Sequence, residues 1–451
     1  MRKSLLTMIS MFAFVAGISA QAAKSTTDTG VKVKGFVRVR PELKQNSGFT
    51  ESKNAADATQ FVGQKAQVQI SKKFNDSSSV KVTIQDARVW GGAAASKQGY
   101  TNGGLTSSVE LQATDIREAY LDLKNILGSG LDIQLGRQIL NYGTQRFVGG
   151  LDWTNVGRSF DAVRFKYDID KVNTFHAWSS LSNENDNDSV GNNTANTKDI
   201  LFNGIYNSYK GLGFAKIDTY YISVLDTSAS QADKLHTVGG RFYMVPKKGE
   251  LGLDLEIEGL YQFGTTGNFD ANGNAIEYGG MAGVLVAGYT FDAGLKIRVG
   301  AELGVGTGDK ASTAGKSETF KNLYPTNHLF YGYADLISLQ NAILGELVVK
   351  VFINKTSNFR FGYVYAAKDV VSDNWYNVGG GVDAGLTALV APSSKKQLFH
   401  EIDLTYTVNP TKYLAIQAGF AYVFRGDALT DSLVNARTDY IFSYLSTSVK
   451  F

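Results

Sequence analysis

Apolar and polar residues alternate with a period of two over segment after segment of this chain, and that pattern dictates strands with two chemically distinct faces. Val33, Gly35, Val37 and Val39 alternate with Lys32, Lys34, Arg38 and Arg40. Leu251, Leu253, Leu255 and Ile257 alternate with Gly252, Asp254, Glu256 and Glu258. Leu295 to Leu303 interleaves with Lys296, Arg298, Gly300 and Glu302, and Ile402 to Val408 with Glu401, Asp403, Thr405 and Thr407. A soluble β-sandwich alternates too. Two features favour a barrel in lipid instead. The segments run about ten residues, which a tilted membrane strand needs. The connections also come in two kinds, short turns and long loops, as a transmembrane barrel requires.

Short connections rich in Gly, Asn, Asp, Ser or Pro fall at 75–79, 125–130, 168–171, 208–211, 246–250, 291–294, 354–358 and 409–412. Longer polar stretches lie near 43–59, 91–108, 140–158, 181–198, 226–233, 263–276, 305–344, 368–396 and 425–438. Eight turns alternating with nine loops join 18 strands, with both termini on the periplasmic side. The predicted fold is all-β: a transmembrane antiparallel β-barrel with short periplasmic turns and long extracellular loops. Alternation breaks at 86–90 and 172–178, which reads as bulges or strand ends.

The chain begins with Arg2 and Lys3, an apolar run from Leu5 to Gly17, and then Ser19, Ala20, Gln21, Ala22 and Ala23. That is the layout of a secretory signal peptide cleaved after Ala22. Residues 1–22 are therefore expected to be removed, leaving 23–451 as one barrel domain. Its first strand starts within about ten residues of cleavage, too soon for a plug domain. No later run reaches the roughly 18 apolar residues of a helical span. There is no cysteine, while 48 glycines, 23 tyrosines and 26 phenylalanines suit strands and turns. The formal charge of +3 loses Arg2 and Lys3 with the signal and becomes +1. Such a chain gives no global argument for nucleic acid, so charge selectivity has to come from where charges sit.

Three stretches carry a resemblance. The first is Leu135-Gly136-Arg137-Gln138-Ile139-Leu140-Asn141-Tyr142-Gly143, with Gly149, Trp153, Gly157-Arg158-Ser159-Phe160-Asp161 and Arg164. The second is Gly306-Thr307-Gly308-Asp309, then Phe320-Lys321-Asn322-Leu323-Tyr324-Pro325-Thr326-Asn327-His328-Leu329-Phe330-Tyr331-Gly332-Tyr333 and Asp335; His400-Glu401-Ile402-Asp403-Leu404 is a weaker third. Together with the strand layout these resemble the bacterial alginate-export outer-membrane porin family. The resemblance implies an 18-stranded barrel in the outer membrane, a lumen lined by arginine and lysine that carries a polyanionic uronate polymer, and loops that narrow or cover the channel. The last strand, Ser443 to Phe451, ends on an aromatic residue. It resembles the signal by which outer-membrane barrels engage the barrel-assembly machinery. Lipid and lipopolysaccharide are the other implied partners.

The expected pore lining follows from parity. Arg38, Arg40, Arg164, Lys166, Arg241, Lys296, Arg298 and Arg360 occupy polar positions flanked by outward apolar ones. Pointing arginine at lipid near the midplane costs about 2–4 kcal/mol, so these side chains are expected inside. Guanidinium groups there bind carboxylates in forked pairs and set anion preference. The bland reading is that each pairs with a lumen carboxylate, among them Glu118, Asp122, Glu256, Glu258, Glu302, Glu401 and Asp403. The glycine-rich 137–164 stretch is expected to fold into the mouth and place Arg137, Arg146 and Arg158 near the constriction, with Asp161 among its partners. The longest loop, 305–344, carries Tyr324, His328, Phe330, Tyr331 and Tyr333, either to stack on sugar rings or to pin the loop.

Catalysis finds little footing, and no cofactor or metal is called for. The four histidines, His176, His236, His328 and His400, sit in no nucleophile motif. Glu184, Asp186 and Asp188 lack the glycine and bidentate glutamate of a calcium loop. The leading reading is a porin or export channel that passes acidic sugars, polyuronate or other anions by diffusion. The alternative is a non-conducting, surface-exposed barrel that serves as a structural or interaction protein.

Overall fold

The computed structural model describes residues 30–49, 58–90, 112–181, 200–227, 232–244, 246, 251–310, 313–326, 328–391, 393–431 and 438–451. The signal segment and the Glu184, Asp186 and Asp188 run lie outside them.

The barrel strands are β1 (Val31–Gln45), β2 (Thr59–Asn75), β3 (Ser78–Val89), β4 (Gln112–Leu123), β5 (Leu131–Gln138) and β6 (Phe160–Asp168). They continue with β7 (Asn173–Leu181), β8 (Ile200–Tyr209), β9 (Lys216–Asp226), β10 (Asp233–Met244), β11 (Gly252–Phe269) and β12 (Met281–Asp292). The ring is completed by β13 (Lys296–Gly306), β14 (Ala342–Phe352), β15 (Ser357–Lys368), β16 (Gln397–Val408), β17 (Leu414–Arg425) and β18 (Tyr440–Lys450). Each pairs antiparallel with its neighbours, and β18 closes on β1 from Phe36↔Lys450 to Gln45↔Ile441. All 18 strands of the expected barrel are present, joined by eight short turns and nine loops. Beyond the wall, two short strands, Ala275–Tyr278 and Lys316–Ser317, pair in parallel between loops.

Which face meets lipid is decided by exposure. Leu253, Ile257, Leu285, Val299, Leu303 and Leu347 are 43–59% exposed, whereas Arg40, Glu401 and Asp403 on the opposite parity are wholly buried. One expected irregularity is present: the β3–β4 register shifts between Thr83 and Ile84 and again between Gln85 and Ala87. At 172–178 the strand end is present, with β7 starting at Asn173, and no bulge follows, since β7 pairs in unbroken register with β6 and β8. Its alternation fails for a different reason. Trp178 is an apolar residue on the lumen side, and its indole stacks at 4.5 Å on Tyr142 of the third extracellular loop.

That loop, L3 (139–159), and the seventh, L7 (307–341), fold into the lumen and bind each other. Tyr324 N–H donates to Phe147 O at 2.8 Å, Gly149 N–H to Tyr324 O at 2.7 Å and Thr326 N–H to Gln145 O at 2.8 Å. A stack crosses between wall and loops. The Arg40 guanidinium lies 3.8 Å over Trp153, Trp153 lies 3.4 Å from His328, and His328 lies 4.8 Å from Tyr333. L7 is fastened to the far wall at Glu401, whose carboxylate accepts Ala334 N–H at 2.7 Å. Gly332 has φ of 95°, and a Cβ there would sit 2.4 Å from that carboxylate. Only glycine fits this turn. L3 reaches the same side of the barrel through Arg146, which forks onto Glu302 at 2.7 and 3.0 Å.

Two outcomes are expected. Glu302 pairs across strands with Glu346, so Arg146→Ala leaves like charges facing in a half-dry site. The loss of a buried partner costs about 3–5 kcal/mol. Limited proteolysis should cut L3 in that variant while the barrel keeps its heat-modifiable migration on a gel. The second outcome concerns acid. Burial holds His328 below the ordinary histidine range, and the nearby Asp335 carboxylate only partly opposes it. The neutral ring is the docked form, so an undocked L7 binds the extra proton. Docking is then at full strength above about pH 6.5 and weakens as pH falls. Protease sensitivity of L7 should rise between pH 7.5 and 5 and stay flat in His328→Gln.

Candidate pore lining

Inward parity along each strand sets the lining, and the structure sorts the expected residues into three groups. Arg38, Arg40, Arg164, Lys166, Arg241, Lys296, Arg298, Arg360, Glu118 and Glu302 share the lumen-side register. Arg146, Arg158, Tyr324 and His328 come from L3 and L7 and lie within the barrel mouth. Arg137 and Asp161 do not belong to the lining. They face each other across β5 and β6 on the outward register, bonded at 3.0 Å, with Asp115 3.8 Å from the same guanidinium. The expectation that Arg137 stands at the constriction is corrected: it follows Gly136 on β5, one residue out of phase with the lumen.

Most lumen arginines are held rather than free. Arg38 donates to the Asp152 and Thr154 carbonyls at 3.1 Å and to Asn155 Oδ1 at 2.8 Å. Arg40 binds Glu42 and the Trp153 carbonyl. Arg158 reaches the Pro325 carbonyl at 3.0 Å while lying over Tyr324. Arg241 bridges Asp218 at 3.0 Å and Glu256 at 2.9 Å. Arg298 forks onto Asp254, and Arg360 meets Glu346. Lys166 pairs with Asp168 at 2.6 Å, and Glu118 takes Lys81 at 2.8 Å. For Arg146, burial opposes the charge, but Glu302 more than offsets it and drives the pKa above the ordinary arginine value. Burial likewise raises the Tyr142 hydroxyl, despite the opposing Arg164 guanidinium. Tyr324 packs its edge on Phe160 and Phe202, and His328 sits in the stack, so both aromatics pin L7.

Sequence parity missed several members. Arg117 is 3% exposed and binds Asp152, the Gly150 carbonyl and Ser159. Lys65 is 2% exposed, opposite Arg38, and donates to the Asp152 carbonyl. β2 is polar on both faces near Lys65, which hid its direction; Arg117 follows the β3–β4 register shift. Lys350 had a signal, because it is the sole charge in the apolar run Leu347 to Phe352. Below L3, a cavity of about 450 Å³ is lined by Lys34, Lys65, Gln67, Gln69, Arg117, Glu118, Asp152 and Lys450. Lys34 and Lys450 lie near the periplasmic ends of β1 and β18. Among the described residues, Arg164, Lys34, Lys350 and Lys450 make no ion pair.

Known proteins share this architecture. A family model described as alginate export matches residues 31–442. No curated protein sequence matches the chain. Pseudomonas aeruginosa OccD3 (OpdP) superposes with a TM-score of 0.59 at 12% identity, over 94% of this chain and 91% of that one. OccK9 (OpdG) of the same organism gives 0.60 at 12%, over 93% and 98%. Acinetobacter baumannii OccAB1 gives 0.56 at 13%, over 93% and 97%. At these identities the structures speak for the fold alone. The family match runs from the first barrel strand into the last, and the chain belongs to the alginate export family, as an outer-membrane β-barrel porin.

Proposed function

We propose that this porin passes anionic solutes, acidic sugars or a uronate polymer among them, by diffusion from a basic periplasmic vestibule through a constriction formed by L3 and L7. One observation carries the reading. Glu118, Asp218, Glu256, Asp254 and Glu346 are each taken up by an arginine or lysine, while among the described residues Arg164, Lys34, Lys350 and Lys450 make no ion pair. Fixed cations in a narrow, low-dielectric passage concentrate anions and repel cations. Weak sites spread along the wall suit conduction better than one strong site. The arginines that bind carboxylates or carbonyls serve a different end, holding wall and loops in shape.

A second reading draws on the docking of L3 and L7 onto each other and onto the wall, which favours a closed barrel acting through its surface. Conduction separates the two. In planar bilayers under a salt gradient, the mature chain should give an anion-selective reversal potential, and added polyuronate should block current. Arg164→Ala should lower anion selectivity with normal heat-modifiable migration. Shortening L7 between Leu323 and Asp335 should raise conductance several-fold. A folded barrel silent even with L7 shortened would favour the surface reading.

A further inference from the structure

Four lumen rows cross β13, β14 and β15 in register. From the periplasmic side they read Lys296–Phe352–Asn358, Arg298–Lys350–Arg360, Gly300–Val348–Gly362 and Glu302–Glu346–Val364. The second row therefore sets three cations side by side on adjacent strands. Like charges in directly paired positions repel, so each needs a carboxylate or open water.

Both arginines have the carboxylate, and glycine gives them the path to it. Arg298 lies back across β12 to Asp254 on β11, with Oδ2 2.9 Å from Nε. A Cβ at Gly288 would sit 2.3 Å from its guanidinium, and one at Gly300 2.6 Å. Arg360 reaches up to Glu346, and a Cβ at Gly362 would sit 2.8 Å from its Nη1. The guanidinium groups are laid flat on the wall through these bare backbone positions, each neutralised within it. Lys350 has no such route. Its backbone lies between Arg298 and Arg360, while its half-buried side chain carries the ammonium 5.2 Å from the Phe352 ring, and among the described residues no carboxylate lies within ion-pair distance. On β11 to β15 these three basic and two acidic groups leave one positive charge; Asp403, one row up on β16 beside Gly362, faces Arg360 rather than Lys350.

That charge has a particular place. Lys350 is four residues below Glu346 on β14, about 13 Å toward the periplasm, and Glu346 is level with the Glu302 that anchors L3 through Arg146. We infer that Lys350 is the specificity-determining residue at the periplasmic edge of the constriction, its ammonium selecting anions while Arg298 and Arg360 shape the wall. The assignment rests on the porin reading above.

A unit charge seen across a few ångströms of salt-screened water changes the occupancy of each ion by a factor of about two, in opposite directions for chloride and potassium. Lys350→Gln and Lys350→Met should therefore each lower the chloride-to-potassium permeability ratio about three- to fivefold, and Lys350→Arg should restore it. The comparison variant, Arg298→Gln with Asp254→Asn, removes an arginine without changing net charge and should leave the ratio within a factor of about 1.5. Heat-modifiable migration verifies that each barrel is folded. A conducting wild type whose ratio is unmoved by both Lys350 variants overturns this assignment alone, as does an equal fall in the Arg298–Asp254 double variant. A wild type that passes no current overturns the porin reading and this assignment with it. If neither neutral variant folds, Lys350 is a structural residue and the assignment is likewise overturned.

Discussion

A backbone polar group left unpaired in hydrocarbon costs several kcal/mol, and every feature of this molecule answers to that. An open sheet has two edges; the pairing of β1 with β18 removes both. At the seam Gly35 and Phe451 exchange backbone hydrogen bonds at 2.7 and 3.0 Å, and the Phe451 ring occupies the space a Cβ on Gly35 would need. Once the ring is closed, lipid takes one face and the other is free to be polar. The charged lumen is a consequence of closure as much as of any selected chemistry.

Inside the ring, two kinds of charge are separated. Arginine's planar fork reaches carboxylates and carbonyls along and across strands, and it is spent on Glu42, Asp152, Asp218, Asp254, Glu302 and Glu346. Lysine is a compact point charge with no fork to satisfy, and among the described residues Lys34, Lys350 and Lys450 make no ion pair. Buried carboxylates Glu401 and Asp403 lie under L7, and uncompensated cations lie below it.

Much of the fold was legible in the sequence because strand parity is a local property. Turns and loops fixed the strand number, and lumen residues such as Arg298 and Glu302 follow from alternation alone. What failed did so where parity stopped being local. Arg137 was placed in the mouth by its neighbours in a glycine-rich stretch, yet one residue of phase puts it on the outer wall. β7 looked irregular because Trp178 packs on a loop brought into the lumen from elsewhere. Partners were hidden for the same reason: Arg298 and Asp254 are 44 residues apart and meet only through the register of β11 to β13. L7 was least readable, since His328, Tyr331, Asp335 and Asn341 all hold positive φ without being glycine. Such backbone costs about 1–3 kcal/mol per residue and persists only where surroundings enforce it, which no propensity scale reports.

The contact between L3 and L7 also orders events in time. L3 leaves the wall between β5 and β6, but its partners Tyr324, Thr326 and Glu302 belong to chain more than 150 residues later. Arg40 and Trp153 close the stack from the first strand, against a loop anchored on β16. The contact between the two loops therefore cannot be completed on an open sheet. The docking of these two loops marks the completion of the ring.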